Sequence, residues 1–329
     1  MNECQSLILS EDAKDYIIRY NSDAYRQLAG VKEACVQCID ETWCIAHTSG
    51  NTDIDRLISD SGYYSIPKLY GLMQSDSSNY DESGITSTLN QSNLNVRGQG
   101  VIIGFIDTGI DYTLDIFMYA RNRSKILAIW DQTIQEEQAW NETISGENAG
   151  QINSDYSYLT SMGRFNYGKV YETDVINNAL EKMSAGESPY KYVPSVDDNG
   201  HGTFMAGIAA GSQTKAFMGA APDAQLVVVK LKQAKQYLRD YYLIRNDIEA
   251  YEESDIMAGI RFLRYIALKE NKPLVICLGV GTASGSRMGL TPLASMLNSM
   301  ALRNNIVVVT PVGNEGNART HISGRAADE

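Results

Sequence analysis

Four runs of strand length constrain this chain more than anything else in it. Val101-Ile102-Ile103-Gly104-Phe105-Ile106, Gln225-Leu226-Val227-Val228-Val229-Lys230, Leu274-Val275-Ile276-Cys277-Leu278 and Ile306-Val307-Val308-Val309 are apolar almost without a break. A strand with one wet face alternates polar and apolar residues, whereas an unbroken apolar run belongs to a strand covered on both sides. Helix signals lie between the runs. Met205, Ile208 and Ala209 recur at helical spacing. Ser254 can cap a helix carrying Met257, Ile260, Leu263 and Ile266. Thr291-Pro292, a capping hydroxyl with proline at the first helical position, precedes Leu293, Met296, Leu297 and Met300. Strands alternating with helices predict an α/β fold, a parallel β-sheet with helices on both faces.

The N-terminal quarter reads differently. Residues 1–75 predict a small α+β domain. Strands are expected at Tyr16–Tyr20 and Trp43–His47. One helix is capped by Ser22 or Asp23 and ended by Gly30, and another runs over Asp53–Ser59. Tyr63–Ile66 leads from there into Pro67-Lys68-Leu69-Tyr70. Residues 76–98, dominated by Ser, Asn, Asp, Gly and Thr, read as a linker. Residues 99–329 form the main domain. Within it the stretch 130–196, rich in Asn, Tyr, Gly, Glu and Ser, reads as surface elaboration anchored by Trp130 and Trp140. That stretch carries a short strand at Lys169–Tyr171 and a helix over Thr173–Met183 capped by Thr173 or Asp174.

Composition narrows the classes of function. A chain of 329 residues, 43% hydrophobic, can bury a large core, and a formal net charge of -12 argues against nucleic acid or an anionic membrane as partner. No run is long enough to span a bilayer, and the first residues lack the basic start and apolar core of a secretory signal. An intracellular site is therefore expected. Of the five cysteines, four fall within the first 44 residues, and no second CxxC follows Cys35-x-x-Cys38. The reading is reduced, partly buried thiols. The three histidines, His47, His201 and His321, lie far apart, and the acidic residues are scattered, so no metal site is expected. Neither Gly98-x-Gly100-x-x-x-Gly104, which enters a strand, nor Gly279-x-Gly281-x-x-x-Gly285, which opens no helix, fits a nucleotide loop, and no cofactor is expected.

Three polar side chains sit at ends of the expected buried elements. Asp107 ends the first apolar run, His201 stands between two glycines where a polar loop meets a helix, and Asn314 lies on a Gly-flanked turn after the last run. A buried carboxylate bonded to one imidazole nitrogen fixes the tautomer and leaves the other nitrogen free to move a proton. A neutral amide nearby suits an oxyanion that develops during acyl transfer. Asp107-Thr108-Gly109, Asn199-Gly200-His201-Gly202-Thr203 and Val312-Gly313-Asn314-Glu315-Gly316-Asn317 resemble the aspartate, histidine and oxyanion-asparagine motifs of the subtilisin-like serine proteases, in the family's order.

The resemblance covers residues from about 97 onward and implies peptide-bond hydrolysis by an Asp-His-Ser triad on a subtilisin-like domain. Asp107 and His201 would be catalytic and Asn314 would form the oxyanion hole. Cys277, Leu278 and Gly279 would be the strand that pairs with an extended protein or peptide substrate. It also implies that residues 1–75 are a propeptide bound in cis or after cleavage, cut near Met73 to Asp76. Lys68-Leu69-Tyr70-Gly71-Leu72, Trp130-Asp131-Gln132-Thr133 and His321-Ile322-Ser323-Gly324 are similar to the clostridial spore-germination subtilases. The implied substrate is the precursor of a spore-cortex-lytic enzyme, and the implied location is intracellular or spore-associated. The family's Gly-Thr-Ser nucleophile motif does not follow Asn314 within the 329 residues; Ser284, in Gly281-Thr282-Ala283-Ser284, precedes Asn314 and is no candidate. Two expectations stand: a longer protease whose serine lies beyond residue 329, or a subtilase-like pseudoprotease that binds or signals.

Overall fold

The computed structural model describes residues 3–20, 22–53, 63–73, 83–91, 93–94, 96–120, 122–135, 140–141, 164–215, 217–303 and 305–317. The helix expected over Asp53–Ser59, the residues just past Met73, the Trp140 side chain and His321–Gly324 lie wholly or largely outside the described residues.

The N-terminal unit opens with α1 (Glu3–Leu9) and continues through β1 (Lys14–Arg19), α2 (Asp23–Ala29), β2 (Ala34–Cys38), β3 (Trp43–Thr48) and β4 (Tyr64–Ser65). Its four strands form one sheet in the order β2-β3-β1-β4, antiparallel throughout. Ser22 caps α2, its hydroxyl accepting from the Tyr25 amide at 3.1 Å, and Gly30 ends the helix. One face of the sheet, with Tyr16, Ile18, Cys44 and Ala46, packs on Ala24 and Leu28 of α2. The other, with Ile17 and Ile45, joins the core of the main domain. This unit is therefore not a bead on a tether.

The expectation of reduced thiols fails for four of the five cysteines. The β2–β3 register sets Cys38 opposite Cys44, and the two are bonded. Packing of α1 against β2 brings Cys4 to Cys35, the second disulfide, and leaves Cys277 free. The CxxC pair is thus split between two bridges.

A short strand, β5 (Leu69–Leu72), leaves the N-terminal unit, and a one-turn α3 (Ile85–Leu89) precedes the main domain. The large sheet is built from β6 (Ile102–Asp107), β7 (Ile126–Asp131), β8 (Lys169–Glu172), β9 (Gln225–Lys230), β11 (Leu274–Leu278) and β13 (Ile306–Val309), in the order β8-β7-β9-β6-β11-β13. All neighbours run parallel except the edge strand β8, which is antiparallel to β7. The intervening elements are α4 (Thr173–Ser184), α5 (His201–Ala210), α6 (Gln236–Tyr241), β10 (Tyr251–Glu252), α7 (Glu253–Lys269), β12 (Val280–Gly281) and α8 (Pro292–Ala301).

Each central strand serves two cores, as continuous apolar runs must. Ile102, Ile106, Val227, Val229 and Ile276 pack with α7 and α8, while Ile103, Phe105, Leu226 and Val228 pack with α4 and α5. Burying a single such side chain is worth about 1.5–3 kcal/mol, and these strands gain it on both faces. Surface elaboration is a misreading of the start of 130–196, because Trp130 and Asp131 belong to β7, an interior strand, and Trp130 is fully buried.

A buried ionic cluster fastens the N-terminal unit to this domain. The Asp15 carboxylate lies 2.6 Å from His47 Nδ1 and 2.8 Å from Lys235 Nζ, and its amide donates to the Tyr237 hydroxyl at 2.8 Å. The Lys235 amide in turn donates to Glu252 Oε1 at 2.8 Å. Burial acts to raise the Asp15 pKa, but the Lys235 ammonium and the His47 imidazole outweigh it and hold the carboxyl well below its ordinary value.

Candidate active site

Asp107 is the last residue of β6, buried at the C-terminal edge of the sheet, where open α/β folds place their working groups. Its Oδ1 accepts from the Thr108 amide and faces His201 Nδ1, both at 2.7 Å. His201 is the first residue of α5, presented by Gly200 in the left-handed region at φ 86°. The helix start packs backbone to backbone on the Asp107 loop: a Cβ on Gly202 would strike the carbonyl of Gly109 and lie 3.2 Å from Asp107 Cβ. Glycine there brings imidazole and carboxylate within bonding distance across 94 residues of sequence.

The other imidazole nitrogen meets the chain's own N-terminal segment. His201 Nε2 lies 2.8 Å from the carbonyl oxygen of Met73. A carbonyl only accepts, so Nε2 carries a proton; Nδ1 faces a carboxylate and carries one too. In this arrangement both ring nitrogens are placed to donate, which favours the imidazolium form. Consistently, the hydrogen bond that His201 donates to Asp107 raises its pKa, partly opposed by burial and aided by the charge of Asp107.

Met73 ends a segment held as a third strand. β5 pairs antiparallel with β12 on one side, Leu72 opposite Val280 and Gly71 opposite Gly281, and with β10 on the other, Tyr70 opposite Tyr251 and Leu69 opposite Glu252. The Met73 amide extends the ladder, donating to Gly279 O at 2.9 Å. Met73 borders a cavity lined by Gly281 to Arg287 and by Pro311, Val312, Gly313 and Glu315. A Cβ on Gly281 would come within 2.6 Å of the methionine's Cε. Tyr70 is buried, whereas a side chain at Gly71 would meet nothing within 4 Å.

Of the three residues expected to pair with extended peptide, Gly279 is the one that bonds the chain's own extended segment. Cys277 and Leu278 lie inside β11, in register with Phe105 and Ile106 of β6, and the run that pairs with the Gly71–Met73 segment is Gly279 to Gly281. The β11 ladder leaves the sheet only after Leu278, which the sequence does not mark. Burial and the neighbouring Asp107 charge push the Cys277 thiol up to about 12, leaving it protonated and poorly nucleophilic. Gly279 has a second role: a Cβ there would fall onto Asp107 Oδ2 and lie 3.2 Å from His201 Cε1. Sequence reasoning also missed Tyr251 and Glu252, the opposite wall. Two residues between helices carry no periodic signal.

Asn314 lies exposed on the same cleft, its Nδ2 donating to the carbonyl of Leu72 at 3.3 Å, one residue short of the carbonyl that faces His201. Among the described residues no group of His, Cys, Asp and Glu could hold a metal ion, and no described helix is long and apolar enough to cross a membrane.

This fold, with an Asp–His couple at the carboxyl edge of its sheet and a cleft bordered by Asn314, matches the subtilase family over residues 98–327. The chain belongs to the subtilase family, which is a family of serine peptidases. It is similar to a solved structure, the CspB protease of Clostridium perfringens, with 28% identity and a TM-score of 0.55. The likeness covers 74% of this chain and 42% of that protein, so the chain spans less than half the length of that relative. No curated protein matches the chain.

Proposed function

We propose that this chain belongs to a subtilase-type serine endopeptidase whose serine lies beyond residue 329, with residues 1–73 acting as a propeptide whose tail occupies the substrate groove. The observation that carries the reading is the contact of His201 Nε2 with the Met73 carbonyl, while His201 Nδ1 faces Asp107. A proton carrier fixed by a carboxylate, its other nitrogen open to the groove beside the tail's last carbonyl, is placed to take a proton from a serine there and pass it to a leaving amine.

In this mechanism substrate lies between β10 and β12 as an added strand, main-chain bonds supplying affinity. A serine from beyond residue 329 takes the place on Nε2 that Met73 O holds, and His201 accepts its proton as the hydroxyl attacks. Asp107 steadies the imidazolium that forms. The scissile carbonyl turns toward Asn314, whose amide donates to the oxyanion, a contribution of about 100- to 1,000-fold in rate. His201 then gives its proton to the leaving amine. On this reading the tail stays docked after a cut that follows Met73, its carbonyl still accepting from His201 Nε2.

Similarity to the CspB protease and to the clostridial germination subtilases supports a spore-associated role, with a cortex-lytic enzyme precursor as substrate. The test is the N-terminal unit of the longer protein, examined by intact mass. A fragment ending at Met73 is expected from the parent and none from His201→Ala. A cut elsewhere, or one that persists in His201→Ala, overturns the assignment. An uncut parent favours the pseudoprotease.

A further inference from the structure

We infer that Asp197 is a positioning residue for the Asp107–His201 couple, one carboxylate clamping the two loops that carry the pair. Asp107 and His201 come from separate elements, and their contact survives only if the loop after β6 and the start of α5 keep their spacing. Asp197 sits between them. Its Oδ1 accepts from the Thr108 hydroxyl at 2.7 Å and the Gly200 amide at 2.9 Å. Its Oδ2 accepts from the Thr203 hydroxyl at 2.6 Å and the Thr203 amide at 2.8 Å. Thr108 follows Asp107 directly, Gly200 precedes His201 and Thr203 is two residues beyond it. All four donors therefore belong to residues next to, or one removed from, the couple.

The hydroxyls have no alternative orientation. Thr108 Oγ1 accepts from the Gly202 amide at 2.9 Å, and Thr203 Oγ1 accepts from the Asp111 amide at 2.8 Å. Each threonine thus has its lone pairs turned to an incoming N–H and its single proton turned to Asp197. Reversing either one would set two donors against each other. Burial would raise the Asp197 pKa, but the bonds from Thr203, Thr108 and Gly200 win and lower it, so the carboxylate stays charged. Only an anion with four acceptor positions satisfies this set; an amide offers one oxygen and turns an N–H toward a donor.

This assignment deepens the proposed peptidase reading and rests on it, but its test needs no turnover. The 329-residue chain, labelled with nitrogen-15 at histidine, is examined by NMR for the low-field proton of His201 Nδ1 shared with Asp107 and for the imidazole titration. His201→Gln identifies the signal. In Asp197→Asn the low-field resonance is expected to disappear, and the imidazole, which also loses the nearby Asp197 charge, to bind its proton about tenfold less tightly, one pKa unit.

The adjacent Asp198, 85% exposed in its side chain and 3.4 Å from Lys230 Nζ, loses the same charge in Asp198→Asn, which should keep the resonance. Thr108→Val keeps the charge and removes one bond of the clamp; it should lose the resonance, and it gives the reading if Asp197→Asn fails to fold. Asp197 and Thr108 variants that melt earlier yet keep both resonance and titration would overturn the positioning role. So would equal loss in Asp198→Asn. Signals that behave as expected while the longer protein cuts nothing would leave the clamp standing and remove the hydrolase.

Discussion

Replacing Asp15 by asparagine keeps the volume of the side chain and deletes one charge from the cluster that docks the N-terminal unit. The carboxylate lies 2.6 Å from His47 Nδ1 and 2.8 Å from Lys235 Nζ, with side-chain exposures of 2%, 5% and 2% for Asp15, His47 and Lys235. Water cannot solvate the ammonium that remains, which keeps carbonyl acceptors, among them Ala13 at 3.3 Å. Removing one partner of a buried pair costs about 3–5 kcal/mol, because the other charge is left uncompensated. If all of this appeared as undocking, roughly 1.4 kcal/mol per tenfold would put the docking equilibrium down by about two to three and a half orders of magnitude.

Urea unfolding reads the total, and hydrogen exchange at the Met73 amide reads whether the tail leaves the groove. The double variant Asp15→Leu with Lys235→Met should recover much of the loss, since an apolar pair of similar volume has no charge to desolvate. The sign of the pH dependence follows from the depressed carboxyl. Its contribution is complete above the ordinary aspartate value and lost as pH falls through the lower folded value. A loss in Asp15→Asn below about 1 kcal/mol, the size expected of a solvent-exposed pair, would refute the cluster as a fastening.

Gly279→Ala puts a methyl group on Asp107 Oδ2, so carboxylate, imidazole or tail strand must move. Overpacking of this kind costs about 1–3 kcal/mol, and a shift of about 1 Å in the couple costs roughly 100-fold in turnover. Thermal melts of this chain and peptide-cleavage rates of the longer protein check the two effects, and an unchanged rate would contradict the contact. The raised pKa of His201 predicts a stabilising contribution complete below the ordinary histidine value of about 6.5 and lost as pH rises through the higher folded value. Comparing the urea midpoints of parent and His201→Ala at about pH 6 and about pH 9 isolates it. Lys125 and Glu252, both placed by burial at about 8, titrate in both proteins and cancel.

Elements with a local signature were legible in the sequence. The strands Gln225–Lys230, Leu274–Leu278 and Ile306–Val309 stand where the apolar runs are, and Thr291 caps α8 through the Ala294 amide as its Thr-Pro pair requires. Signatures that depend on a distant partner were not. Thr173 looks like a cap, but its hydroxyl donates to the carbonyls of Ile126 and Leu127 across to β7, and Glu172 takes the cap position. Ser254 likewise lies inside α7. β7 itself was hidden because polar sequence follows it at once, and β2 because Ala34–Cys38 lacks a long apolar run. Asp107 and His201, which meet at the site, and Asn314, which bonds the tail strand at Leu72, were found by motif. Gly279 as the hinge of groove and couple, and Asp197 as the clamp, are visible only once three loops stand side by side.

A serine-directed fluorophosphonate, applied to the longer protein that carries sequence past residue 329, tests the assembled site most directly. Covalent labelling is expected that vanishes in His201→Ala and falls steeply in Asp107→Ala. A protein that takes no label, or that labels equally well without the imidazole, would contradict it.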